Sequence, residues 1–178
     1  MRMHSILWTL VGAVSLVGCG QQPRHYRVAI DESPLQNLAS TCYRSGETPA
    51  DRTNNVVDVQ QWSVWEGVEG RKYLQVGALN YRLGDAYNLS IGSDAIVSQE
   101  KADKPTFVAE RVDVELDRTI TTRATYTLDS EGETLEGSLE LSSSCVGAAC
   151  DRPDCTATLG FVGRRLDVER VIAVGDGA

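Results

Sequence analysis

The feature that most constrains this chain is a strict two-residue alternation in its C-terminal half. Leu135, Leu139 and Leu141 stand on one side, with Glu136, Ser138 and Glu140 on the other. Period two with one apolar face is the mark of a half-buried strand, and the pattern recurs in Tyr26, Val28 and Ile30, in Leu74, Val76 and Ala78, and in Tyr87, Leu89 and Ile91. Val108, Val112, Val114 and Leu116 share one face of a further run, and Ile120, Ala124, Tyr126 and Leu128 share one face of the next. Val56 to Trp65 reads as a long strand, and Arg165 to Ile172 as a last one. Residues 92 to 105 lack the alternation and read as a loop.

Turn residues separate these runs. Glu66-Gly67-Val68-Glu69-Gly70, Gly84-Asp85, Asp117-Arg118 and Asp129-Ser130-Glu131-Gly132 are short enough to join neighbours as hairpins. Consecutive hairpins with one apolar face form a meander. A meander of about eight strands covers its edges by closing on itself or by packing as two layers. The expectation is therefore all-β: an antiparallel meander closed as an up-and-down barrel, with a β-sandwich as the alternative.

One segment departs from this pattern. Ser33 and Pro34 read as N-cap and first helical residue, with Gln36 completing a capping box. Leu35, Leu38, Cys42 and, less regularly, Ala39 and Tyr43 fall on one helical face, so a short helix over about 34–43 is expected against the sheet.

The N-terminus is read differently. Arg2 precedes an apolar stretch from Ile6 to Val17. About a dozen residues fall short of the roughly 17 to 25 needed to cross a ~30 Å hydrocarbon layer, as in an export signal that is removed. Leu16-Val17-Gly18-Cys19 resembles the lipobox of bacterial lipoprotein precursors. The resemblance implies cleavage before Cys19 and a diacylglycerol thioether on its sulfur, the acyl chains being of the palmitate class. It also implies a tether over 19–24, a single domain over 25–178, and residence in the cell envelope. Gly20, which is not Asp, implies transfer to the outer membrane. Lipid anchoring is stable when more than one chain enters the bilayer, each buried methylene contributing ~0.8 kcal/mol. An early helix and a barrel behind such an anchor are similar in outline to lipocalin-like lipoproteins.

Loss of residues 1–18 removes one of 17 basic side chains and no acid, so 16 basic face 25 acidic residues, a balance of −9. That charge disfavours nucleic acid as a partner. Beyond Cys19 there are four cysteines, Cys42, Cys145, Cys150 and Cys155, an even number that in an exported chain reads as two disulfides. A four-thiolate zinc site fits less well, because the gaps between Cys145, Cys150 and Cys155 exceed the usual ligand spacing. Sequence leaves the pairing open. Strand phase leans towards Cys145 with Cys155, both facing inward at one hairpin end.

No motif for nucleophilic catalysis, phosphate cradling or metal hydrolysis is present, and no cofactor or metal is expected. The chain does not read as an enzyme. His25, the one histidine after processing, is expected in solvent near the tether. Glu110 is in phase with Val108 and Val112, which would point a carboxylate inward towards Arg123, Arg164 or a ligand. Trp62 and Trp65 lie on opposite faces of one strand, so one is core and the other a candidate stacking platform. Glu110, Trp62 and Trp65 are thus the candidate ligand contacts. The expected partners are a membrane through Cys19 and either a small apolar or amphipathic ligand in the barrel or an envelope protein met through a surface.

Overall fold

The computed structural model describes residues 22–43, 59–67, 70–84, 87–99, 103–150 and 154–167. Cys19, the lipobox and residues 168–172 of the strand expected over Arg165–Ile172 lie outside them; Arg165 and Leu166 instead end the strand that begins at Cys155.

Among the described residues ten strands follow in chain order: β1 (Arg24–Ile30), β2 (Val59–Glu66), β3 (Lys72–Gln75), β4 (Leu79–Leu83), β5 (Tyr87–Ile91), β6 (Ile96–Val97), β7 (Thr106–Glu115), β8 (Arg118–Glu131), β9 (Thr134–Gly147) and β10 (Cys155–Leu166). Eight form one antiparallel sheet in the order β6-β3-β2-β1-β10-β9-β8-β7, and β4 and β5 pair separately. The sheet curls until its two edges meet. The isolated bridge between Ser98 and Phe107 and the bond from Gln99 N to Thr106 O at 3.0 Å join the β6 end to β7. Apart from the inserted β4–β5 hairpin, neighbours in the barrel are neighbours in sequence, as an up-and-down meander requires. Chain order is closed by β1 and β10, paired from His25–Leu166 to Ile30–Phe161.

The alternation seen in the sequence sets the inside of the barrel. Tyr26, Val28, Trp62, Val64, Leu74, Tyr126, Leu128, Leu135, Leu139, Leu141, Leu159 and Phe161 are all buried in one core. At Leu128 the β8–β9 register shifts, and Gly137 sits where a Cβ would come within 2.0 Å of the Thr127 carbonyl oxygen and 2.6 Å of the Phe161 ring. Only a residue without Cβ allows the strands to approach so closely.

Three expectations need correction. No α-helix forms over 34–43. Two 3-10 turns, Ser33–Asn37 and Ser40–Cys42, take its place. The buried set survives, since Leu35, Leu38, Cys42 and Tyr43 are covered, but the backbone breaks at Leu38 and Ala39, both extended in ψ. The loop between Gly92 and Pro105 contains the short β6. In β7, Phe107 is fully buried, and it fixes the odd positions inward; Val112, Val114 and Leu116 therefore point out. Periodicity identified the shared face but not its side.

Candidate functional site

The interior of the barrel is occupied by aromatic rings and a small polar network. Trp62 meets Tyr126 and Phe161 edge-on, with centroids 5.4 and 4.7 Å apart. Its Nε1 donates to Gln60 Oε1 at 2.8 Å, the Tyr81 hydroxyl donates to the same oxygen at 3.3 Å, and the Tyr126 hydroxyl donates to Tyr81 at 3.2 Å. Burial pushes the Tyr81 hydroxyl pKa up, against a smaller lowering by its bonds to Tyr126 and Gln60. Each polar atom of the network thereby finds a partner in a region closed to water.

Contacts tie elements together at both ends. At one end, Arg24 and Lys72, the first residues of β1 and β3, reach Glu131, the last residue of β8. Arg24 Nη1 lies 3.1 Å from Glu131 Oε1 and Lys72 Nζ lies 2.5 Å from Oε2, so one carboxylate ties three strands across the opening. The Tyr26 hydroxyl donates to the Gly132 carbonyl at 3.0 Å beneath it. At the other end, β5 packs on β7 and β8, with Tyr81, Leu83, Leu89 and Ile91 buried. Cys42 is bonded there to Cys155, and the hairpin turn at Gly84, whose φ is +54°, passes directly under the Cys42 carbonyl.

That disulfide corrects the expected pairing. Cys155 opposes Ser143 in the β9–β10 ladder, so Cys145 lies two residues beyond the first residue of β10. It bonds instead to Cys150 in the following turn, with Cα atoms 5.7 Å apart. The four cysteines do form two disulfides.

Beyond the Cys155–Ser143 pair, β7, β8 and β9 continue as a three-stranded arm: 112–115, 118–121 and 144–147, joined by the Leu116–Asp117 turn and tied by Cys145–Cys150. Its outward face carries apolar side chains in the open: Val112 is 49%, Val114 76%, Val146 74% and Leu116 104% exposed. Val114, Thr119 and Val146 are cross-strand neighbours in this face.

The sequence candidates are scattered. Glu110 is exposed at the base of the arm, contrary to the inward expectation. Arg123 Nε donates to its Oε2 at 2.8 Å, and Nη2 donates to the same oxygen. Trp62 is fully buried core. Trp65 is half-buried on the outside, stacked on Tyr73 at 5.4 Å with the planes 10° apart. The structure therefore does not bring Glu110, Trp62 and Trp65 into one site. His25 is not in solvent either. It is buried, with Nδ1 2.8 Å from Ser63 Oγ across the β1–β2 pair. Among the described residues no carboxylate hydrogen-bonds its ring, so the pair lacks the third member that orients a triad imidazole.

A cleft of about 560 Å³ lies on the outer surface, lined by Ala29, Asp31, Asp129, Glu136, Gly160 and Val162, among others. Sequence reasoning missed the arm. The signal was available in the unusual length of the alternating runs on both sides of Asp117-Arg118, which exceed the span shared with β10. Among the described residues no cluster of three His, Cys, Asp or Glu side chains has metal-holding geometry. No known protein family, curated protein or solved structure matches the chain.

Proposed function

We propose that this chain is a bacterial envelope lipoprotein, anchored through lipid on Cys19 and resident at the outer membrane, that acts by contacting other protein rather than by holding a ligand inside its barrel. The observation that carries the reading is the contrast between an interior occupied by packed rings and an arm that leaves Val112, Val114, Leu116 and Val146 in the open. Burying a valine fully is favourable by about 1.5 kcal/mol or more, and contiguous exposed apolar side chains mark contact surfaces. The lipobox supports the anchor, and the −9 balance of the processed chain supports a soluble, non-nucleic-acid-binding domain.

The test is made on protein isolated from its native membranes. Intact mass should show loss of residues 1–18 and a lipid-sized addition at Cys19, and organic extraction of the folded domain should release no stoichiometric small molecule. A photo-reactive residue at Leu116 should form protein adducts in the intact envelope. An unmodified Cys19 would overturn the anchor, and a co-purifying ligand with no adduct would favour the ligand-binding reading.

A further inference from the structure

We infer that the partner of the arm is a second copy of this chain, joined edge to edge along β7 in antiparallel pairing with Val112 opposite Val112. The inference rests on reading the arm as the contact surface and is independent of the lipid anchor.

Past the Ser98–Phe107 bridge, β7 has β8 on one side and, among the described strands, nothing on the other. The direction of its backbone groups follows from one bond. Thr106 O accepts from Gln99 N, so the Thr106 carbonyl faces away from β8, whereas the Pro105 carbonyl accepts from Leu128 N on the β8 side. Strict alternation in an antiparallel ladder then directs the N–H and C=O groups of Glu110, Val112 and Val114 to the open edge. Natural sheets protect such an edge with proline, charged side chains, a bulge or a covering segment. The stretch Glu110–Glu115 contains no proline and pairs regularly with Arg118–Arg123, without a bulge, and the charges on its inward face, Arg111 and Asp113, are of opposite sign.

Charge selects the occupant and the register. Arg111 and Asp113 lie on one face of β7 and already form an ion pair, Nη2 to Oδ2 at 2.9 Å, with both side chains still substantially exposed. If Val112 opposes Val112 of the copy, each Arg111 opposes an Asp113, giving two opposite-charge cross-strand pairs. Val112 then meets Val112 of the copy on the outer face, and each Val114 lies opposite Glu110 of the other chain. Slipping the register by two residues either way places Asp113 against Asp113 or Arg111 against Arg111, which is unfavourable. The edge is thus complementary to itself in one register, as a two-fold interface requires.

The test is the mass of the purified full chain in detergent solution, measured by analytical ultracentrifugation at micromolar concentrations. The expected species is a dimer. Val112→Pro should convert it to monomer while preserving the fold, because the lost N–H faces the edge and not β8. Arg111→Asp should weaken dimerisation about tenfold or more by opposing like charges twice, and adding Asp113→Arg should restore it. A monomeric wild type overturns the inference, as does a dimer indifferent to all three variants. A monomer whose Leu116 photo-adduct contains a different envelope protein also overturns the pairing, while leaving the contact role of the arm in place.

Discussion

The barrel body and the arm are built from the same three strands, yet they obey opposite rules. Within the body, β8 and β9 place Tyr126, Leu128, Leu139 and Leu141 against rings from the opposite wall. A few residues further along, the same strands carry Ile120 and Val146, beside Val114 of β7, with no opposite wall, and side chains on both faces meet solvent. Identical backbone pairing therefore gives a core in one place and a surface in the other. What differs is whether β10 and β1 continue the sheet around, and they stop at Cys155 and Ile30. Strand length, not strand chemistry, makes the arm.

The two disulfides offer the largest test of this contrast. Cys42–Cys155 ties segments 113 residues apart and holds the turn Ser40–Cys42 to the body, whereas Cys145–Cys150 closes a separation of 5 within the arm. Chain entropy assigns about 5 kcal/mol to the first and about 2 kcal/mol to the second. Denaturant unfolding of Cys42→Ser with Cys155→Ser, set beside Cys145→Ser with Cys150→Ser, should reproduce that order. Equal losses would mean that the arm is as integral as the body.

Trp62→Ala should cost roughly 3–5 kcal/mol, since the indole fills the centre of the barrel, while Val146→Ala should stay within about 0.5 kcal/mol. A costly Val146→Ala would show the arm to be packed. Glu131→Gln removes the charge that joins Arg24 and Lys72. Both cations remain partly in water, which limits the loss to about 1–2 kcal/mol, measured by thermal or urea unfolding.

The smallest effect is alkaline. Burial raises the Tyr81 and Tyr26 hydroxyls above their ordinary value of 10.0. The unfolded chain therefore ionises first, so stability is intact below about pH 10 and falls as pH rises past it, by at most about 1.4 kcal/mol per pH unit for each tyrosine. Tyr81→Phe should flatten that decline in pH-resolved melting, and an unchanged slope would place the tyrosine network closer to solvent than the body requires.

Much of the body was legible because each strand there has one wet face and one dry one. Leu135 to Leu141 and Cys155 to Phe161 could be phased from alternation alone. Phase failed in β7, where four outward valine and leucine positions outweigh the single buried Phe107; hydrophobicity reports burial only where something exists to bury against. The Ser33-Pro34 start and the apolar spacing after it mimic a helix, but Cys42 must reach Cys155, and two tight turns deliver it there. The cysteine pairing depended on the β9–β10 register, a long-range quantity no local pattern contains. Glu110 inherited the error in β7.

The β1–β10 ladder has a consequence for how the molecule comes into being. Val28 finds its partner in Gly163, near the other end of the chain. A chain made from its N-terminus onward presents β1 early, and that strand waits with one edge open until nearly all the rest has followed. Contacts between such distant residues make folding slow. During that interval β1 lacks one of its two neighbours, and a chain cut short before β10 has no route to a closed barrel.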